Sequence, residues 1–128
     1  MCGIAGIIGL FPERSERLEK MLVAQAHRGP DFTGRWSDNF IALGHNRLSI
    51  IDLSEKANQP MISNCGKYVI VLNGEIYNYR ELKNELKDYN FRTESDTEVV
   101  LAAWNRWGRE MLYKLNGMFS FAIWDKDS

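Results

Sequence analysis

Gly3-Ile4-Ala5-Gly6-Ile7-Ile8-Gly9 directly follows Met1 and Cys2. Three isoleucines among small residues, in a run too short for a helix, predict a buried strand over residues 3–9. A strand this close to the terminus anchors it and gives Cys2 a defined place. Next in the chain, Ser15 is a candidate N-cap for a helix in which Leu18, Met21, Leu22 and Gln25 or Ala26 recur at helical spacing. Glu16 and Glu19 stand in its first turn, where the helix dipole favours acids. Gly29 and Pro30 then stop regular structure, and a loop is expected to follow.

Residues 40–51, rich in Ile and Leu, and the apolar run 68–72 predict interior strands separated by a polar loop over 54–67. Asn78 with Glu81 reads as a capping box for a helix carrying Tyr79, Leu82 and Leu86 on one face. Ser95 with Glu98 reads as a second, opening a helix through Val99, Val100, Ala103, Trp104 and Trp107 that Gly108 ends. A short helical segment near 109–115 leads to a strand in which Phe119, Phe121 and Ile123 alternate with their neighbours. Strands framing paired helices, without a βαβ rhythm, predict an α+β fold. The end at Ser128, just after an apolar strand, predicts the N-terminal part of something longer.

A chain of 128 residues suits one domain. With 45% hydrophobic residues, 26% charged, ten glycines and three prolines, it has the composition of a folded protein. A net charge of -1 lacks the positive field that a nucleic acid or an anionic membrane requires. No long apolar run or secretory leader pattern occurs, so the expected location is cytoplasmic. The two cysteines, Cys2 and Cys65, are too far apart for a CxxC motif and too few for a disulfide framework. Two histidines, His27 and His45, without Cys or carboxylate partners at ligand spacing, make no zinc motif.

Cys2 is either a small buried hydrophobe or a nucleophile. A small second residue permits removal of the initiator Met, which would put a thiol and a free α-amine on one residue. The amine titrates at about 7.7–8.0 and a free thiol near 8.5, so the amine is matched to take the thiol proton. Asn73-Gly74 is a strong hairpin signal, although residues 75–78 do not begin an alternating strand. Arg47 is either a surface arginine or a bidentate carboxylate clamp, a geometry that lysine cannot copy. Asp96 is at least a first-turn acid on a helix dipole, contributing about 0.3–1 kcal/mol.

Five motifs occur in order: residues 1–6 (Met-Cys-Gly-Ile-Ala-Gly), 27–31 (His-Arg-Gly-Pro-Asp), 44–50 (Gly-His-Asn-Arg-Leu-Ser-Ile), 73–78 (Asn-Gly-Glu-Ile-Tyr-Asn) and 95–98 (Ser-Asp-Thr-Glu). Together they resemble the class II glutamine amidotransferase domain of asparagine synthetases, over nearly the whole chain. The resemblance implies an N-terminal nucleophile hydrolase fold, an αββα sandwich of two antiparallel sheets between helix layers, here cut short at its C-terminal end. It implies that residues 1–128 are the N-terminal part of a glutaminase domain, whose ATP-dependent synthetase domain is absent from this chain. No cofactor is expected here, and no metal; ATP and magnesium would belong to that absent domain. L-glutamine, the synthetase domain and a second copy in a homodimer are the implied partners.

By the same resemblance, Cys2 attacks the glutamine side-chain amide, and the Asn73 amide and Gly74 N–H hold the resulting oxyanion. Arg47 and the backbone of Leu48, Ser49, Ile50 and Ile51 line the glutamine site. Asp96, with Glu75 nearby, holds the substrate ammonium. His27, Arg28 and Asp31 are expected to serve structural or loop-closing roles, His45 a structural one. Cys65 reads as an incidental thiol, and Trp104 and Trp107 as helix packing. Two rivals remain open at this point: a non-catalytic glutamine-sensing domain, and an N-terminal thiol hydrolase of another amide.

Overall fold

The computed structural model describes residues 1–128. Two three-stranded antiparallel sheets form the centre. In the first, β1 (Gly3–Ile8) and β2 (Phe32–Ser37) flank β3 (Ile41–Arg47). In the second, β4 (Met61–Ile62) and β6 (Gly117–Asp125) flank β5 (Tyr68–Ile76). Helix α1 (Arg14–Ala24) covers the first sheet, and α2 (Tyr79–Glu85) and α3 (Asp96–Trp107) cover the second. The expected α+β class with antiparallel sheets is present.

Strand periodicity explains the layers. Ala5 and Ala42 face α1 and pack on Leu18 and Leu22. The alternate residues Ile41 and Leu43 face the other sheet and meet Val69 and Val71, with Ile4, Trp36 and Trp124 closing round them. On the far face of β5, Ile70, Leu72 and Ile76 join Leu82, Leu86 and the buried stripe Val99–Ala103. Trp104 and Trp107 pack against this cluster. The order is therefore helix, sheet, sheet, helix.

Several boundaries differ from expectation. Residues 32–37, read as loop, form β2; with Gly34 inside it and one face exposed, this edge strand carries little apolar signal. The strand over 40–51 ends at Arg47, because the Leu48 and Ser49 N–H groups turn to Cys2 Sγ and Asp31 Oδ2. Residues 54–67 are not all loop: they hold a 3₁₀ turn (Glu55–Ala57) and the two-residue β4. The strand at 68–72 runs on to Ile76, so Asn73-Gly74 is not a hairpin turn. Residues 75 and 76, which showed no alternation, continue it because β6 pairs along its whole length.

The helix caps also differ. Glu13, left-handed at φ 60°, precedes α1, and Ser15 lies inside the helix. Arg14 decides this start by donating to the carbonyls of Gly9, Asp38 and Asn39. Met21 stays 40% exposed, beside the buried stripe rather than in it. Asn78 precedes α2 but makes no cap bond; its amide instead ties Lys114 O and Asn116 N. At α3 the expected cap forms, with Ser95 Oγ accepting the Glu98 N–H, and Gly108 at φ 56° ends the helix.

His45 lies fully buried between the sheets, where its Nε2–H donates to Leu72 O at 3.0 Å. Burial lowers its pKa to about 4, with the Arg47 charge adding to the fall against the Leu72 bond. The folded chain therefore holds His45 neutral while the unfolded chain protonates it near its ordinary value of 6.5. Below that value the unfolded state takes up the proton, so stability falls as pH drops from 6.5 towards 4, by about 3 kcal/mol at most. Urea unfolding across this range is expected to show the loss, and His45→Gln is expected to remove that part of the slope; an unchanged slope in the variant contradicts the assignment.

Candidate active site

The register of β1 on β3 sets Gly3 opposite Asn46, which carries Cys2 to the end of β3. There Cys2 Sγ accepts the Leu48 N–H at 3.3 Å, and Arg28 Nε donates to Cys2 O at 3.0 Å. Arg28 thus has the structural duty expected of its motif. Asp31 does too, tying the Ser49 N–H at 2.7 Å, while His27 is exposed. Gly29 is required by packing, since a Cβ there would stand 2.2 Å from Asn46 O.

Cys2 is half-buried and opens onto a cavity of about 740 Å³, mouth included. Arg47, Leu48, Ile50 and Ile51 form its β3 side; Asn73, Gly74, Glu75 and Asp96 form its β5 and α3 side. Nine of the ten residues predicted for the site meet here. Ser49 does not, because its N–H is turned to Asp31. Cys65 is exposed in a separate turn beside Ser63.

The edge of β5 supplies the donors. Hydrogen bonds from Tyr77 N to Asn116 O and from Lys126 N to Lys67 O show that odd-numbered residues of β5 exchange bonds with β6. The even-numbered N–H groups therefore face the opposite edge, where Ser63 N donates to Tyr68 O at the β4 end. Because β4 has only two residues, the Leu72, Gly74 and Ile76 N–H groups lie beyond its reach. Gln59 Oε1 accepts from Leu72 at 2.6 Å and Asp96 Oδ2 accepts from Ile76 at 3.0 Å. Gly74 N–H is left pointing into the cavity without a protein acceptor. Next to it, Asn73 Oδ1 is buried with no hydrogen-bond partner, so this stretch of wall holds polar groups that the protein itself does not satisfy.

Charge is divided between the two sides. Arg47 is buried at 6% exposure, which rules out a surface role. Its Nη1 donates to Ser54 O and Asn58 Oδ1, both at 2.8 Å, holding the guanidinium still while its other nitrogens remain available. Asp96 is buried opposite, and burial pushes its pKa up against the pull of the Ile76 N–H, with the Glu75 charge raising it further. The loop before α3 is held by buried Glu98, whose carboxylate accepts from Arg92 N, Thr93 N and the Thr93 hydroxyl.

Gln59, Thr97, Asp52 and Met118 also line the cavity and were not anticipated from sequence. Gln59 gave no signal, being one of three side-chain amides in a polar loop. No three His, Cys, Asp or Glu side chains converge as a metal site, and the cavity sets Asp52, Glu75 and Asp96 against one arginine, unlike a phosphate cradle. No helix is long and apolar enough to cross a membrane.

A family model for the glutamine amidotransferase domain matches residues 1–128. The chain belongs to that family. This amidotransferase domain is 43% identical over 134 residues to asparagine synthetase (glutamine-hydrolyzing) 1 of Bacillus subtilis, covering 99% of the chain and 21% of that relative. It is 40% identical over 131 residues to asparagine synthetase B (glutamine-hydrolyzing) of Escherichia coli, covering 99% of the chain and 24% of the relative. Amidase chry2 of Gibberella zeae is 42% identical over 142 residues, with 99% of the chain and 21% of the relative covered. The chain thus spans less than a quarter of the length of these relatives.

The amidotransferase domain needs glycine at position 74. Its φ is 156°, and a Cβ would stand 2.2 Å from Met118 O across the sheet. Gly74→Ala is expected to push β6 away, costing about 1–3 kcal/mol as overpacking does. Urea unfolding checks this, and a midpoint equal to the parent's contradicts the close approach.

Proposed function

We propose that this domain hydrolyses glutamine to glutamate and ammonia through Cys2, supplying the ammonia for ATP-dependent amide formation by a synthetase domain in a longer chain. The supporting observation is that one cavity joins the Cys2 thiol to the Gly74 N–H that β4 leaves unpaired. The helix–sheet–sheet–helix order, with a cysteine at position two, supports assignment to the N-terminal nucleophile hydrolase fold.

In this reading Met1 is removed and the Cys2 amine takes the thiol proton. The thiolate attacks the side-chain carbonyl carbon of glutamine, and the carbonyl electron pair moves to oxygen. Asn73 and Gly74 N–H hold that negative oxygen; losing one such donor typically costs about 2.7–4 kcal/mol in rate. As the tetrahedral intermediate collapses, the protonated amine returns its proton to the departing nitrogen, which leaves as ammonia. A γ-glutamyl thioester remains on Cys2. Water, giving a proton to the same amine, attacks the thioester, and glutamate leaves as the thiol is restored.

Arg47 binds the substrate α-carboxylate through its nitrogens not bonded to Ser54 and Asn58. Asp96, with Glu75, binds the α-ammonium, and this pairing recovers part of the cost of burying the Asp96 charge. Leu48, Ile50 and Ile51 supply the adjoining wall; Ser49 contributes by fixing the loop through Asp31. Ammonia released into neutral water is largely protonated and no longer nucleophilic, which favours direct passage to the synthetase domain. ATP and magnesium belong to that domain and have no residue here. A homodimer and a cytoplasmic location fit this reading.

Cys2→Ala is expected to abolish glutamine hydrolysis while calorimetric binding of glutamine stays within a few-fold; parental turnover in this variant excludes Cys2 as the nucleophile. Binding of the ammonium requires ionised Asp96, whose pKa is raised above 3.8. Glutamine affinity is therefore expected to weaken on acidification while the pH is still above that ordinary value. Asp96→Asn is expected to bind weakly with that dependence reduced to the part Glu75 contributes, and an acid limb as large as the parent's in the variant contradicts the ammonium role of Asp96.

A further inference from the structure

Beyond its two strand residues, β4 leaves an edge of β5 that side chains complete, and Gln59 is central to it. Its side chain is buried, accepts the Leu72 N–H through Oε1 at 2.6 Å, and donates through Nε2 to Thr97 Oγ1 at 3.1 Å. Leu72 lies two residues before Gly74, on the same side of the strand. Thr97 directly follows Asp96 in the first turn of α3. One amide therefore spans the oxyanion donor's strand and the helix turn that carries the ammonium-binding acid. In the β4–β5 register position 59 falls opposite Leu72, so the Gln59 side chain takes the place that a longer β4 would occupy, and a β4 continued back to position 57 would set a backbone acceptor opposite the Gly74 N–H.

We propose that Gln59 is a positioning residue for glutamine hydrolysis, holding the Gly74 N–H free and fixing its distance from Asp96. This role rests on the glutaminase reading above. The linkage is a rigid one, since both bonded atoms belong to one planar amide and the two partners belong to different elements. Cutting the Leu72 bond frees the β5 edge to shift at the oxyanion donor, where misplacement acts on the transition state more than on substrate binding. Cutting the Thr97 bond loosens the α3 turn at Asp96, where it acts on binding.

The experiment compares Gln59→Leu and Thr97→Val with the parent in the intact protein, with rates normalised to Cys2 thiols labelled by a diazo ketone analogue of glutamine. Normalisation removes molecules that fail to fold, so the readout is the property of each competent site. Gln59→Leu is expected to lower kcat at least tenfold per labelled site. Thr97→Val is expected to raise KM at least threefold with kcat within twofold, and it decides the matter alone if Gln59→Leu yields no labelled protein. Values of kcat and KM within twofold of the parent in every variant that labels would overturn the positioning role, leaving Gln59 a contributor to stability only. A parent protein without glutamine turnover would instead defeat the hydrolytic reading itself, and this role with it.

Discussion

The shortness of β4 is the constraint on which the cavity depends. An antiparallel strand directs alternate N–H groups to opposite edges, and each needs an acceptor or a ligand. β6 runs the length of β5 and meets one edge in full, whereas β4 stops after Ile62. The exposed edge is then closed by Gln59 and Asp96, and the one group they leave is the N–H of Gly74. Glycine stands there because β6 passes too close for a side chain, so the same packing that builds the sheet also keeps the donor bare.

A second set of contacts brings the thiol to that edge. The β1–β3 register delivers Cys2 to the point where β3 gives way to loop, and Leu48 and Arg28 hold its sulfur and its carbonyl. Arg47, the last residue of β3, is turned inward between the sheets and spends one nitrogen on its own loop. Burial of Arg47 and Asp96 is costly for the empty protein, because a buried charge is stabilised only by well-placed partners. A zwitterion carrying a carboxylate and an ammonium supplies partners to both, and a singly charged ligand does not. In the proposed reading, selectivity for an amino acid comes from these two buried groups of opposite charge, each already held in place by the protein's own hydrogen bonds.

Much of this was legible in the sequence, and the limits have physical causes. The apolar run at β5 and the helical spacing of α3 produced strong signals because each buries a whole face, whereas β1, read as a buried strand, lies at a sheet edge with Ile4 and Ile7 half-buried and Ile8 exposed. β2 was missed because an edge strand with Gly34 and Arg35 has little to bury, and β4 because two residues carry no period. The Asn73-Gly74 pair misleads as a turn signal, since glycine here answers a close contact rather than a bend. Ser15 failed as a cap because bonds of Arg14 set the start of α1, and Asn78, though it stands at the N-cap position of α2, makes no cap bond because its side chain ties Lys114 and Asn116, far away in the chain. Nine of the ten site residues read from sequence line one cavity, while Gln59 was invisible because its two partners are brought together only by folding.

The central claim is that a terminal cysteine carries the glutamyl group during turnover. Mass spectrometry of peptides from acid-quenched, actively turning-over protein measures this directly. The account predicts an N-terminal peptide that begins at Cys2 and bears a glutamyl thioester on that sulfur. Active molecules that retain Met1, or a glutamyl group carried on any other residue, would contradict it.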